Sequence, residues 1–185
     1  MKTELGLQQA LFIGFCAALM IALKSMLRLK LGLSGHSMLL MSFFYLLCHL
    51  VVARPGAMLA CGLLSGLLAM MLGVGKSGVL LLVKFGAPAA AMELMALILP
   101  AIKPGNRMAG LYLRLGMLAF AGALAWGLRD VVGTLLAGMA LPAALLAGAM
   151  EFAGGFVFAL VGAALIPPVI RRLKAHDLIA SSEES

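Results

Sequence analysis

The chain has 185 residues, 64% of them hydrophobic and 11% charged, whereas soluble globular domains carry roughly 45–50% apolar and about 25% charged residues. Together with a mean hydropathy of +1.13, this excludes a soluble fold. The formal charge of +7 does not point to nucleic acid, because Lys and Arg are scattered over the ends of apolar runs and not gathered into a basic domain; such charge flanks membrane spans.

Crossing about 30 Å of hydrocarbon takes roughly 20 apolar residues, so an all-α integral membrane protein is expected: a single domain over 1–185, built as a six-transmembrane-helix bundle. The apolar runs are Leu5 to Leu27, Ser37 to Ala53, Ala57 to Leu72, Val79 to Ala101, Met108 to Leu128 and Pro142 to Ile166. The first is a retained span, since Leu5 to Leu23 is too long for a signal core and no small-residue cleavage site precedes Lys24. Gly32 to Gly35, Arg54-Pro55-Gly56, Gly73 to Gly78 and Lys103 to Arg107 supply the turns between runs.

Val131 to Leu141 is apolar but too short to cross, and is expected along the interface or dipping into the protein before Pro142, which suits the first turn of the last span. Beyond Pro167-Pro168, residues 171–185 form a short polar end with Arg171, Arg172 and Lys174, expected in the cytoplasm. Termini inside place eight Lys and Arg residues on the inner side against six outside, a small positive-inside bias. Cys16, Cys48 and Cys61 all lie in apolar runs without metal-ligand spacing, so they are expected as packing residues and no metal site is expected.

Gly6, Ala10, Gly14, Ala18 and Ala22 recur every four residues on the first helix. In lipid, such a stripe permits close helix approach, either inside the bundle or to a partner. The last span carries a similar row at Ala147, Glu151, Gly155, Ala159 and Ala163, with one carboxylate among small residues. A carboxylate near mid-membrane is costly unless it turns inward.

With termini inside, the outer half collects Lys24, Arg28, His36, Lys84, Trp126, Arg129 and Asp130, with Glu151 below them. Pro88 removes the helical partner of the residue 84 carbonyl and should kink the helix beside Lys84. An excess of cations beside an indole suits an anionic small molecule, with His36, Lys84, Trp126 and Glu151 as substrate-binding candidates. The plainer alternative has Lys24, Arg28 and Arg129 snorkelling to headgroups and Lys84 pairing with Glu151 or Glu93. Glu93 and His49, in the opposite half, would suit a proton relay with Glu151, though a core histidine is the simpler role for His49.

No catalytic residue is expected. Gly32-Leu33-Ser34-Gly35 resembles the GxSG of rhomboid proteases, but here it follows the first helix and no histidine base lies on the last. Walker A, HExxH and Gly-rich dinucleotide motifs are lacking.

Six short-looped spans in under 200 residues, Ala18-x-x-x-Ala22 on the first helix, a Gly-Ser-rich first loop and a basic C-terminal end resemble the substrate-binding S component of an energy-coupling-factor (ECF) transporter. The resemblance implies a non-catalytic subunit of a bacterial or archaeal cytoplasmic membrane. It would capture a vitamin or vitamin precursor from outside and work with a transmembrane coupling subunit and two cytoplasmic ATPases. It implies a docking surface at Gly14, Ala18 and Ala22 and a pocket in the outer half, where His36, Lys84, Trp126 and Glu151 are placed by depth. Cofactors are expected on the partners alone, which use ATP. The nickel and cobalt branch uses an N-terminal histidine, where this chain begins Met1-Lys2-Thr3. A small proton-coupled carrier and a structural membrane subunit are the alternative readings.

Overall fold

The computed structural model describes residues 6–27, 36–73, 78–99 and 107–175. Arg28, Lys30, the Gly32 to Gly35 motif, Lys76, Lys103 and the last ten residues lie outside these. The elements are α1 (Leu7–Leu27), α2 (Ser37–Val52), α3 (Ala57–Met71), α4 (Leu80–Ile98), α5 (Arg107–Leu136), α6 (Leu141–Ala164) and α7 (Ile166–Ala175). The described residues are thus helices and short turns. By length and apolarity four stretches can cross a membrane, Leu7–Met26, Leu80–Ile98, Ala109–Leu136 and Leu141–Leu173, while α2 and α3 are shorter apolar helices.

Sequential helices from α1 to α6 pack on one another through short connections, which sets neighbours antiparallel. We call the end where α1 and α3 begin the terminal end, and the opposite one the far end. The short helix α2 is the centre: it touches every other helix, while α1, α3, α4, α5 and α6 follow one another around it. Among the described residues α1 packs mainly on α2 and α3 and does not approach α6. The sequence of α2 explains its place, because SMLLMSFFYLLCHLVV has no polar face to give to water and is buried nearly all round.

Lipid tails are as apolar as leucine, so the helices gain little from apolar burial and associate through close packing and polar contacts. On α2, the Ser42 hydroxyl donates to the Ala159 carbonyl of α6 at 2.9 Å, and the Tyr45 hydroxyl donates to the Phe85 carbonyl of α4 at 2.9 Å. The second bond lies one residue from the carbonyl that Pro88 deprives of its helical partner. Despite that proline, α4 remains helical from Leu80 to Ile98. Gly62 of α3 makes room for this stretch: a Cβ there would stand 2.5 Å from the Ala89 Cβ and 2.9 Å from the Phe85 carbonyl oxygen.

At the terminal end, α2 stops at Ala53, which takes a left-handed conformation (φ 50°) and donates its N–H to the His49 carbonyl at 3.0 Å. Glu93 of α4 then caps α3. Its Oε1 accepts the Gly56 N–H at 2.8 Å and its Oε2 accepts the Met58 N–H at 3.0 Å. Buried carboxylates are tolerated when charge-assisted bonds satisfy both oxygens.

Two stretches depart from expectation. Residues 131–136 neither lie flat nor dip inward; they continue α5, whose 30 residues extend about 45 Å, well beyond the hydrocarbon thickness. Arg171 and Arg172, at the start of the polar end, belong to a helix. In α7, Ile166 is buried and Val169, Ile170 and Leu173 pack on the core, while both arginines are exposed. The cysteines come from α1, α2 and α3 and are free and buried, with the Cys48 thiol in hydrogen-bonding reach of both others.

Gly62→Leu is expected to lower stability by about 1–3 kcal/mol through overpacking, read as a lower unfolding temperature in detergent. Gly14→Leu should leave the isolated protein's unfolding temperature unchanged, because nothing lies within 4 Å of the position its Cβ would take. Equal effects would contradict the packing described.

Candidate functional site

Three helices place the polar groups of the far half. Trp126 of α5 is 4% exposed, seated where Gly155 of α6 leaves space: a Cβ at Gly155 would lie 3.4 Å from the indole and 3.3 Å from Met38. The indole Nε1–H donates to Glu151 Oε2 at 2.9 Å. This bond answers both needs, giving the buried indole its acceptor and the half-buried carboxylate a donor.

The ring so held receives two cations. Lys84 Nζ stands 5.4 Å from the ring centroid and Arg129 Cζ 4.7 Å from it. Both lie within the range where the π face attracts a cation, and the carboxylate at the indole N–H makes that face more electron-rich. Arg129 also pairs with Asp130 at 3.1 Å, while its Nε is buried with no hydrogen-bond partner among the described residues. Nearby, Lys24 Nζ stands 4.3 Å from the centroid of the Phe85 ring.

Lys84 and Arg129 open onto a groove of about 660 Å³ between α4 and α5 that is otherwise lined by apolar residues from Leu80 to Leu136; Trp126 and Glu151 are not among its lining. That volume suits one small organic molecule. The chemistry available is recognition: apolar walls and two cations held on a buried indole beside them, one with a donor unfilled among the described residues. Among the described residues, no group of three or more His, Cys, Asp or Glu side chains is arranged to hold a metal ion.

Of the four substrate-binding candidates, Lys84, Trp126 and Glu151 come together. His36 stands half-buried at the head of α2, two residues before Met38, and does not line the groove. Arg129 belongs more fully to the site than its place in the sequence suggests. So do Val132, Gly133 and Leu136, which the short-segment reading of 131–141 set apart. The signal was present, since Leu128, Val132 and Leu136 continue the helical spacing of α5 past Asp130.

The inward row on α6 is as expected, with Gly155, Ala159 and Ala163 buried. On α1 the small-residue stripe faces away from the bundle: Ala18 and Ala22 are exposed and Gly14 is half-buried, whereas Ile13, Cys16, Ala17, Met20 and Ile21 face the core. Glu93 is absorbed in capping α3 and does not meet Glu151.

Comparison with known proteins yields no family: no protein-family model, no curated protein and no solved structure matches the chain.

Trp126 is the only tryptophan, so its fluorescence reports on the site. Glu151→Ala should free the indole N–H, make the emission more accessible to acrylamide and cost about 1–3 kcal/mol of stability. Unaltered emission and quenching would show that the indole does not depend on this bond.

Proposed function

We propose that the chain is a non-catalytic, membrane-embedded binding subunit of an ECF-type importer, capturing a small water-soluble anionic nutrient such as a vitamin or its precursor. The observation that carries this reading is the Trp126 face: a fixed indole with Lys84 and Arg129 on it, beside a groove of about 660 Å³. A carboxylate or phosphate placed there would meet the Arg129 Nε–H, for which the described residues offer no acceptor.

The outward small-residue face of α1 supports the second half of the proposal. With α1 packed mainly on α2 and α3 and Ala18 and Ala22 exposed, a transmembrane coupling subunit can approach backbone to backbone along Gly14, Ala18 and Ala22. The two cytoplasmic ATPases supply the energy, since this sequence has no Walker A phosphate cradle.

In this reading α2 and α3 also cross, giving six spans in a bacterial or archaeal cytoplasmic membrane with the terminal end inside. Their 16 and 15 residues reach about 24 and 22 Å, somewhat short of the hydrocarbon. For α2 this matters little, because protein surrounds it; for α3, local thinning makes up the difference at modest cost.

A proton-coupled carrier is less well supported. Glu93 has both oxygens engaged by backbone N–H groups, and it lies nine residues along α4 from Lys84, about 13 Å toward the other end.

Two measurements test the proposal. The purified chain, assayed by equilibrium dialysis against a panel of anionic vitamins and precursors, should bind one of them, and Lys84→Met or Arg129→Met should weaken that binding by about 1–3 kcal/mol. Unchanged affinity would remove these side chains from the pocket. Ala18→Trp should prevent assembly with the coupling subunit while leaving ligand binding intact; normal assembly would remove the α1 face from docking.

A further inference from the structure

The terminal end holds a second cavity, independent of the Trp126 groove. It measures about 360 Å³ and lies among the end of α2, the turn into α3 and the facing parts of α4 and α5. Its charged or titratable lining is His49, Arg54, Glu93 and Arg114.

Two guanidinium groups, of Arg54 and Arg114, line it against one carboxylate, that of Glu93, whose oxygens accept the Gly56 and Met58 N–H groups. Moreover, among the described residues Arg114 Nε and His49 Nδ1 are buried without a hydrogen-bond partner. A buried guanidinium N–H lacking an acceptor is costly, so an anion entering from outside the chain would complete this end of the bundle.

The walls indicate which anion. Beside the arginines the cavity is bounded by Leu50, Ala96 and Leu97. Leu97 belongs to an outward apolar face of α4 with Leu94 and Ile98, which are 63%, 59% and 74% exposed in that order. A free phosphate needs no such lip. A phospholipid does, because its acyl chains must lie on apolar surface while its phosphodiester reaches polar groups at the helix ends. The exposed Arg171 and Arg172 of α7 add positive charge at the same end of the bundle, as suits a leaflet rich in anionic lipid.

We propose that this cavity is a binding site for one anionic phospholipid, with its headgroup phosphate between Arg54 and Arg114, His49 as a further hydrogen-bonding group and an acyl chain along Leu97. The site would tie the α2–α3 turn to α4 and α5 through the lipid.

The test uses the full chain, delipidated in mild detergent and returned to phosphatidylcholine alone or to a mixture with phosphatidylglycerol. Native mass spectrometry then counts retained lipid. Wild type should retain phosphatidylglycerol over phosphatidylcholine by about fivefold or more per arginine. Arg114→Gln and Arg54→Gln should each lose most of that preference, Arg114→Lys should keep part of it, and Arg171→Gln, on the exposed face of α7, should leave it intact. Equal retention of the two lipids by wild type, a comparison that needs no variant, would overturn the proposal. So would a preference that survives both glutamine variants. If glycerol phosphate at millimolar concentration displaces the lipid and raises the unfolding temperature as much, the cavity is a soluble-phosphate site and the lipid assignment fails.

Discussion

A polar group inside hydrocarbon must find its partner within the protein, and that requirement organises this molecule. Between apolar helices in lipid there is little hydrophobic drive, so specificity comes from close contact and from the few bonds that side chains can make. Ser42 and Tyr45 donate from α2 to α6 and α4, Trp126 donates to Glu151 between α5 and α6, and Glu93 accepts from the start of α3. Each of these bonds joins two different helices. Gly62, Gly155 and Gly162 let the helices come near enough for such bonds to form.

The same requirement explains why the two ends differ. At the terminal end the carboxylate of Glu93 serves the backbone at the start of α3. At the far end the carboxylate of Glu151 serves an indole, which in turn offers its face to Lys84 and Arg129. In both places a carboxylate is hydrogen-bonded within the protein and cations line the nearby opening. The overhang of α5 past the start of α4 supplies a wall of the far groove. A helix cut off at Leu128 would have left Lys84 and Arg129 without that wall.

Much of this was legible in the residues. Long apolar runs separated by Gly, Pro and charge gave helix positions to within a few residues except at the end of α5, which runs on to Leu136, because breakers act locally and hydrocarbon demands helices. The inward row on α6 followed from the cost of lipid-facing Glu151. Lys84, Trp126 and Glu151 were grouped by depth alone, since alternating helices bring residues equally far from the same end to the same level. What depth cannot supply is rotation about each helix axis: of the four candidates at that level only Lys84 lines the groove, with Trp126 and Glu151 joined to it by contact. Capping by Glu93 was invisible as well, because its partners are backbone N–H groups 35 and 37 residues away. The three cysteines likewise show no spacing that announces their convergence across α1, α2 and α3.

The central claim is that the groove beside Trp126 is a water-filled recognition site and not a lipid-filled seam. Single cysteines at Ala125 and Gly133, with the native thiols buried, can be exposed to a charged, membrane-impermeant thiol reagent from either side of oriented vesicles. Leu145→Cys, on the lipid-facing side of α6, serves as reference. The account predicts rapid modification of both groove positions from the face opposite the termini, and little at position 145. Groove cysteines as unreactive as the reference, or reactive only from the side of the termini, would contradict it.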